Sequence, residues 1–202
     1  MYTMVLSAFV ALYTTLVALT GSVSTPPLEV AVSQLTVAPE HTTGYKRSMF
    51  PHWDTLADGC TVRESVLISE SQSPASVASR FCTVYSGTWV SLYDGKVVSN
   101  PRSLDIDHVV ALKEAWDSGA HSWSPQERRR FANDLSDPRS LIAVSSSSNR
   151  SKSDKDPAQW MPQESYRCRY ASDWVSIKLR WKLSVDKAEL AALQKIASAC
   201  GK

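Results

Sequence analysis

The chain has 202 residues, with 22 Lys and Arg against 20 Asp and Glu and a net charge of +2. A balance this close to neutral excludes identifying a nucleic-acid binder on charge alone. No internal repeat is visible, which excludes a repeat array.

From the N-terminus, Met4 to Thr20 form an uncharged apolar run followed by small residues at Gly21, Ser22 and Ser24. This pattern predicts a secretory signal peptide over 1–24, although no Lys or Arg precedes the run. A single anchoring helix is the alternative, and the absence of flanking Lys or Arg argues against it. Residues 25–43 carry Pro26, Pro27 and Pro39 among Ser and Thr, with weak apolar periodicity. They read as a linker or pro-segment. Residues 44–202 then form one domain large enough for a real core.

Within 45–53, His52 stands beside aromatics and reads as a packed or surface residue. Val62, Val66 and Leu67 have helical spacing, while the β-branched content leaves a strand open. The runs 81–85 and 88–93 predict strands joined across Ser86-Gly87. Asp94-Gly95 turns the chain into Lys96-Val97-Val98, so a small antiparallel meander is expected. Trp89 and Tyr93 fall on one face and read as core.

Leu104 to His108 alternate apolar and polar, a period of two that predicts a strand ending at His108. Asp105 and Asp107 then share one face, opposite Ile106 and His108. Helices follow. Leu112, Ala115 and Trp116 lie at i, i+3, i+4, and Ser118-Gly119-Ala120 ends that element. Ser124-Pro125-Gln126-Glu127 is a capping box that opens a helix to about Asn133. That helix holds Arg128, Arg129 and Arg130, of which one is expected to pack near the site and the others to be solvated. His121 reads as a surface residue.

Leu141 to Val144 has the length of a buried strand, and Ser145 to Ser148 offer caps for a helix with Asn149 in its first turn. Asp156 to Trp160 predicts a capped short helix, with Trp160 packed over the preceding one. Trp174, Ile177 and Trp181 make an apolar stripe. Asp186-Lys187-Ala188-Glu189 is a second capping box, after which Leu190, Leu193, Ile196 and Ala197 face inward. From Arg150 onward eleven Lys and Arg face six Asp and Glu, a basic excess that fits salt-sensitive backbone contact.

Four cysteines behind a signal peptide imply two disulfides. Sequence permits three pairings, of which the nearest-neighbour choice is Cys60–Cys82 with Cys168–Cys200. No Cys-x-x-Cys spacing supports zinc.

The chemistry concentrates at Asp105-Ile106-Asp107-His108 and at Asn149-Arg150-Ser151-Lys152. A hard divalent cation takes carboxylate and amide oxygens, and a water nucleophile needs a base that is neutral near pH 7. Asp107 suits the first task and His108 the second. Asn149 adds a neutral oxygen ligand. Arg150, Lys152 and Lys155 are cations available to phosphate.

These motifs resemble the ββα-metal site of HNH endonucleases. The longer pattern is closer still to the C-terminal domain of GmrSD restriction enzymes and its secreted fungal and bacterial members. It runs through Asp107-His108-Val109-Val110, Ala115-Trp116, Ser118-Gly119-Ala120, Trp123, Arg130 to Asp134, Leu141, Asn149, Lys152, Asp154, Pro157 and Trp160, about two thirds of the chain. Two departures are Ala111, where such proteins commonly have proline, and Asn149, where many HNH enzymes place a final His ligand.

The resemblance implies an α+β fold with a ββα-metal (HNH, His-Me finger) core, a helical insertion, the meander and C-terminal helices. It implies a secreted endonuclease that hydrolyses phosphodiesters, DNA before RNA, with low sequence specificity. Mg²⁺ would be held by Asp107 and Asn149, with His108 as general base. Lys152, Arg150 and Arg63 would hold the strand. For Asp105 the residues leave three readings open: it orients His108, it binds a water behind the ligands, or it is simply solvated. Arg63 matches a place where secreted members carry arginine; a salt bridge to Glu64 is the alternative. The protein is expected to be a monomer without stable membrane association. Two alternatives stand beside the enzyme: a secreted non-catalytic protein that keeps the fold to bind nucleic acid or a host target, and a ribonuclease. Asn149-Arg150-Ser151 is also an N-glycosylation sequon, expected to stay unused if Asn149 is a recessed ligand.

Overall fold

A computed structural model describes residues 27–78 and 82–201. The signal segment expected at 1–24 lies outside the described residues. Mixed helices and small antiparallel sheets make up the fold, as expected of an α+β chain.

The centre is a pair of antiparallel strands, β5 (Leu104–His108) and β6 (Leu141–Ser145), with Leu104 opposite Ser145 and His108 opposite Leu141. Alternation along these strands divides their side chains between two hydrophobic clusters. Leu104, Ile106, Leu141 and Ala143 pack with Val62, Val66 and Leu67 of helix α2 (Val62–Glu70). Ile142 and Val144 join the larger cluster with residues of the first helix, the insertion and the C-terminal helices. Helix α5 (Ser146–Lys152) leaves β6 directly, with Ser145 as N-cap accepting from the Ser148 N–H. The cap that opens the helix is thus the last residue of the strand, which fixes α5 against the sheet.

For α2 the choice between helix and strand goes to helix. Thr61 caps it, accepting from the Glu64 N–H, and the i, i+4 pair Val62 and Val66 is buried. Glu70 at its end accepts the Ala143 N–H at 2.8 Å and so satisfies part of the open edge of β6.

The meander forms differently from expectation. β1 (Ser76–Val77) pairs with β2 (Val84–Ser86), and β3 (Trp89–Val90) pairs with β4 (Val97–Val98) across Asp94-Gly95. The expected hairpin across Ser86-Gly87 does not form. Gly87 serves Trp89 instead: a Cβ there would lie 2.5 Å from the indole. That ring is buried, its N–H donating to the Leu67 carbonyl at 2.8 Å. Trp89 therefore anchors this segment to α2 where a tight turn would have folded it back on β2.

Helices α3 (Leu112–Asp117) and α4 (Pro125–Ala132) form the insertion between β5 and β6, and the capping box at Ser124 and Glu127 is present in full. Asp156 to Gln159 make only a turn: the Asp156 carboxylate accepts from the Ala158 and Gln159 N–H groups, closing a single loop. Two longer helices, α6 (Arg167–Trp181) and α7 (Lys187–Cys200), complete the chain. The second capping box is half made. Asp186 accepts from the Glu189 N–H, but the Glu189 carboxylate turns inward to Lys178 at 2.7 Å and the Trp174 N–H at 2.5 Å. Lys178, fully buried, also reaches Glu114 at 2.6 Å and ties α3, α6 and α7 together.

The described part of 25–43, a stretch expected to be a linker or pro-segment, contributes packed structure. Helix α1 (Leu28–Ser33) buries Ala31 and Val32, and Leu35 follows them into the main cluster. Val37 then bridges to Val185. So short a stretch suffices because α6 and α7 supply the rest of the apolar surround. Disulfides join Cys60 to Cys82 and Cys168 to Cys200. Among the described residues no helix is long and apolar enough to cross a membrane.

Candidate functional site

Ile106, Asp107 and His108 of β5, Leu112 and Lys113 of α3, Asn149 and Arg150 of α5, and Tyr45 and Arg47 upstream line one cavity of about 430 Å³. Three consecutive β5 residues take part, so the cavity runs along the strand rather than over one face. It brings together Asp107, His108, Asn149 and Arg150 of the expected site residues. Asp105, Lys152 and Arg63 are not part of its wall.

His108 is buried, its ring between Trp53 (centroids 5.5 Å apart, 29° between planes) and Phe131 (6.4 Å, 17°). Nε2 lies 2.9 Å from the Ala132 carbonyl. A carbonyl only accepts, so Nε2 carries the proton and Nδ1 keeps the free lone pair. Burial pushes the imidazole pKa down to about 3, against the opposing pull of the Ala132 carbonyl. The ring is neutral at pH 7.

Asp107 is also buried. Its Oδ1 accepts from Lys152 Nζ at 3.0 Å, and its Oδ2 accepts from the same ammonium at 2.9 Å and from the Tyr93 hydroxyl at 2.5 Å. Burial raises its pKa, opposed by the Lys152 charge and the Tyr93 hydrogen bond. Lys152 has no exposed surface, and its third bond goes to the His108 carbonyl at 3.0 Å. It therefore does not face solvent as a phosphate contact would; it neutralises and orients Asp107.

Asp105 accepts from Ser146 Oγ at 2.9 Å and from Asn149 Nδ2 at 3.1 Å. The second bond orients the Asn149 amide, spending its nitrogen on Asp105 and leaving its oxygen. Arg63 donates through Nη2 to the carbonyls of Pro101 (3.0 Å) and Leu104 (3.2 Å), and Nη1 pairs with Glu64 at 3.3 Å. The salt-bridge alternative is thus present, together with a brace on the start of β5. Of the arginine row, Arg128 donates to the Met49 carbonyl at 3.1 Å, Arg129 pairs with Asp54 at 2.8 Å, and Arg130 is exposed. Two of the three fasten segment 45–54. Part of the C-terminal basic excess is absorbed as well: Lys152 and Lys178 are buried, Arg169 meets Asp173, and Arg180 meets Asp134.

The donor set suits a hard divalent cation. A carboxylate offers about four lone-pair sites, and Oδ1 of Asp107 has given only one, to Lys152. Asn149, with its amide nitrogen held by Asp105, also lines the cavity and is a further oxygen donor of this type, as is Asp154. Mg²⁺ is commonly held by one or two protein oxygens with water and substrate phosphate filling the rest. Among the described residues no cluster of three or more His, Cys, Asp or Glu has ligand spacing.

Tyr93, Trp53 and Arg47 enter the site without having been assigned to it from sequence. Tyr93 was legible as core but not as a partner of Asp107. Trp53 adopts φ 63°, a left-handed backbone uncommon for a bulky residue, as it stacks on His108.

A neutral imidazole with a free lone pair, a charge-neutralised carboxylate and an oriented amide thus meet on one strand–strand–helix unit. Residues 65–196 match the family described as GmrSD restriction endonucleases, C-terminal domain, and the chain belongs to that family. It is also 40% identical over 195 residues to an uncharacterized secreted protein of Arthroderma benhamiae, covering 92% of this chain and 94% of that one. No solved structure matches. With two disulfides, which persist in oxidising compartments, and a secreted relative of nearly equal length, the protein is secreted.

Proposed function

We propose that the protein is a metal-dependent endonuclease that hydrolyses phosphodiester bonds of nucleic acid, DNA before RNA, at the cavity formed by Asp107, His108 and Asn149. The observation that carries this reading is the fixed tautomer of His108. Its Nε2–H is held by the Ala132 carbonyl, so Nδ1 is available to take a proton from water. The family match supports the reaction class.

Asp107 and Asn149 would hold the divalent cation, Mg²⁺ by the hardness of the donors. When bound, it would offset the charge that grows on the phosphate oxygens. Lys152 and Tyr93 hold the Asp107 carboxylate in place, and Asp105 fixes the orientation of Asn149. Trp53 and Phe131 keep water from both faces of the imidazole, so that its edge alone meets the reacting water. Arg150, exposed on the cavity rim, contacts the strand. A site that reads only the backbone carries little sequence preference.

The test is a digest of plasmid DNA and of RNA by the purified protein with Mg²⁺, with EDTA as control. Wild-type protein should cut DNA only with the metal, and His108→Ala should lower the rate about a hundredfold or more. Faster cleavage of RNA would move the substrate class. Equal rates for the variant and wild type would take His108 out of the reaction.

A further inference from the structure

The family match begins at residue 65, yet part of the cavity wall comes from upstream, from the strap of residues 45–54. Phe50 anchors this strap, fully buried against Trp116 and Phe131. Asn133 holds it from α4, donating to the Pro51 carbonyl at 2.8 Å and accepting from the Asp54 N–H at 2.9 Å. Arg128 and Arg129 add their bonds to Met49 and Asp54. An exposed loop is thus fastened at several points, and its residues keep a fixed position beside His108.

Arg47 stands in this strap and lines the cavity. Its side chain is exposed, and among the described residues no carboxylate lies within salt-bridge distance of it. Its side-chain partner among the described residues is His52: Nη2 lies 3.4 Å from Nε2 of that ring. The other ring nitrogen, Nδ1, lies 2.8 Å from the Phe50 carbonyl and must donate to it. Nε2 is then the acceptor and steadies the guanidinium without neutralising it. Of the cations expected to share phosphate contact with Arg150, Arg63 is occupied on backbone carbonyls, Lys152 on Asp107 and Lys155 on the Ser151 carbonyl.

We propose that Arg47 binds the anionic phosphodiester backbone at this cavity and that His52 positions it. The strap thereby completes a site that residues 65–196 alone leave without its upstream wall. This rests on the nuclease reading given above. A guanidinium presents a planar fork of donors to phosphate oxygens, and one with no carboxylate partner gives up no ion pair to do so.

The test is binding of a fluorescent DNA duplex by the full secreted chain in EDTA, across a salt series, beside cleavage with Mg²⁺. Arg47→Ala should weaken binding about tenfold and lower the slope of log affinity against log salt by about one. Arg47→Lys should keep the slope and lose part of the affinity. His52→Phe should lie between wild type and Arg47→Ala, and His52→Gln, which keeps an acceptor, should recover toward wild type. Arg130→Ala removes an exposed arginine outside the cavity and should leave both quantities unchanged. Binding and cleavage by Arg47→Ala equal to wild type would overturn the role of Arg47 and leave the nuclease reading standing. An Arg130→Ala loss as large as that of Arg47→Ala would reduce the effect to general charge and also overturn it. Wild-type protein that neither binds nor cuts would overturn both.

Discussion

Replacing Lys152 with methionine separates two roles that this residue could play. The ammonium lies 2.9–3.0 Å from both Asp107 oxygens and has no exposed surface. At that separation, with an effective dielectric of about 20, the attraction is about 6 kcal/mol. Desolvation of both charges offsets much of it, but Lys152→Met leaves the desolvated carboxylate behind. Breaking a buried pair from one side costs about 3–5 kcal/mol. For a chain of this size that is a fall in Tm of roughly 10 °C. Protonating Asp107 relieves the uncompensated charge, so the deficit should be largest at high pH and shrink toward pH 4. The double variant Asp107→Asn, Lys152→Met removes both charges while the introduced amide oxygen still accepts from Tyr93, and it should recover more than half of the loss. Thermal unfolding by circular dichroism under non-reducing conditions reads all three proteins. A Tm within 2 °C of wild type for Lys152→Met, with substrate binding lost, would refute the structural role and return Lys152 to the substrate.

Glu70 provides a second stability test. Burial raises its carboxyl to about pKa 7, against the pull of the Ala143 N–H, from an ordinary value of 4.5. Below about pH 4.5 the group is protonated in both folded and unfolded chains. As pH rises toward 7 the unfolded chain ionises first, so stability falls, by roughly 3 kcal/mol at completion. Glu70→Gln keeps an acceptor for Ala143 and should be more stable than wild type at pH 8 but not at pH 4; denaturant titrations at both values would show it, and equal differences would count against it. Replacing Cys168 and Cys200 with serine opens a loop spanning a sequence separation of 32 residues, which should lower stability by about 3–4 kcal/mol in the same titrations. A change below about 1 kcal/mol, well under the usual worth of a disulfide, would mean that α1, packed on α6 and α7, already holds the C-terminal helix.

Much of the fold was legible because its signals are local. Period-two alternation marked β5 through His108, and the Ser124 box marked α4. The failures come where a distant partner decides. Gly87 reads as a turn glycine until the Trp89 ring is seen against it. Residues 25–43 look like a linker because a short apolar stretch has no periodicity to show, and only α6 and α7 make burying Ala31, Val32 and Leu35 worthwhile. Arg128 and Arg129 look like surface charge until the strap they hold is present. Nothing in the sequence brings Arg47 or Trp53 to His108, since the contact spans more than fifty positions and depends on where Phe50 is buried.

The exchange of roles between Lys152 and the expected phosphate contacts follows from helix and strand periods taken together. Asn149 and Lys152 are three residues apart, so on α5 they share a face about 4.5 Å apart along the axis. Asp105 and Asp107 are two apart on β5, about 6.6 Å along the strand and also on one face. With α5 packed on that strand, the amide meets the first carboxylate and the longer lysine reaches the second. The spacing of the Asn-x-x-Lys motif matches that of Asp-x-Asp. Its lysine is therefore committed to the carboxylate that would hold the cation, and a phosphodiester would have to find its cations at other positions. Arg150 is the next residue round the helix and faces the cavity; Arg47 comes from outside the matched segment altogether.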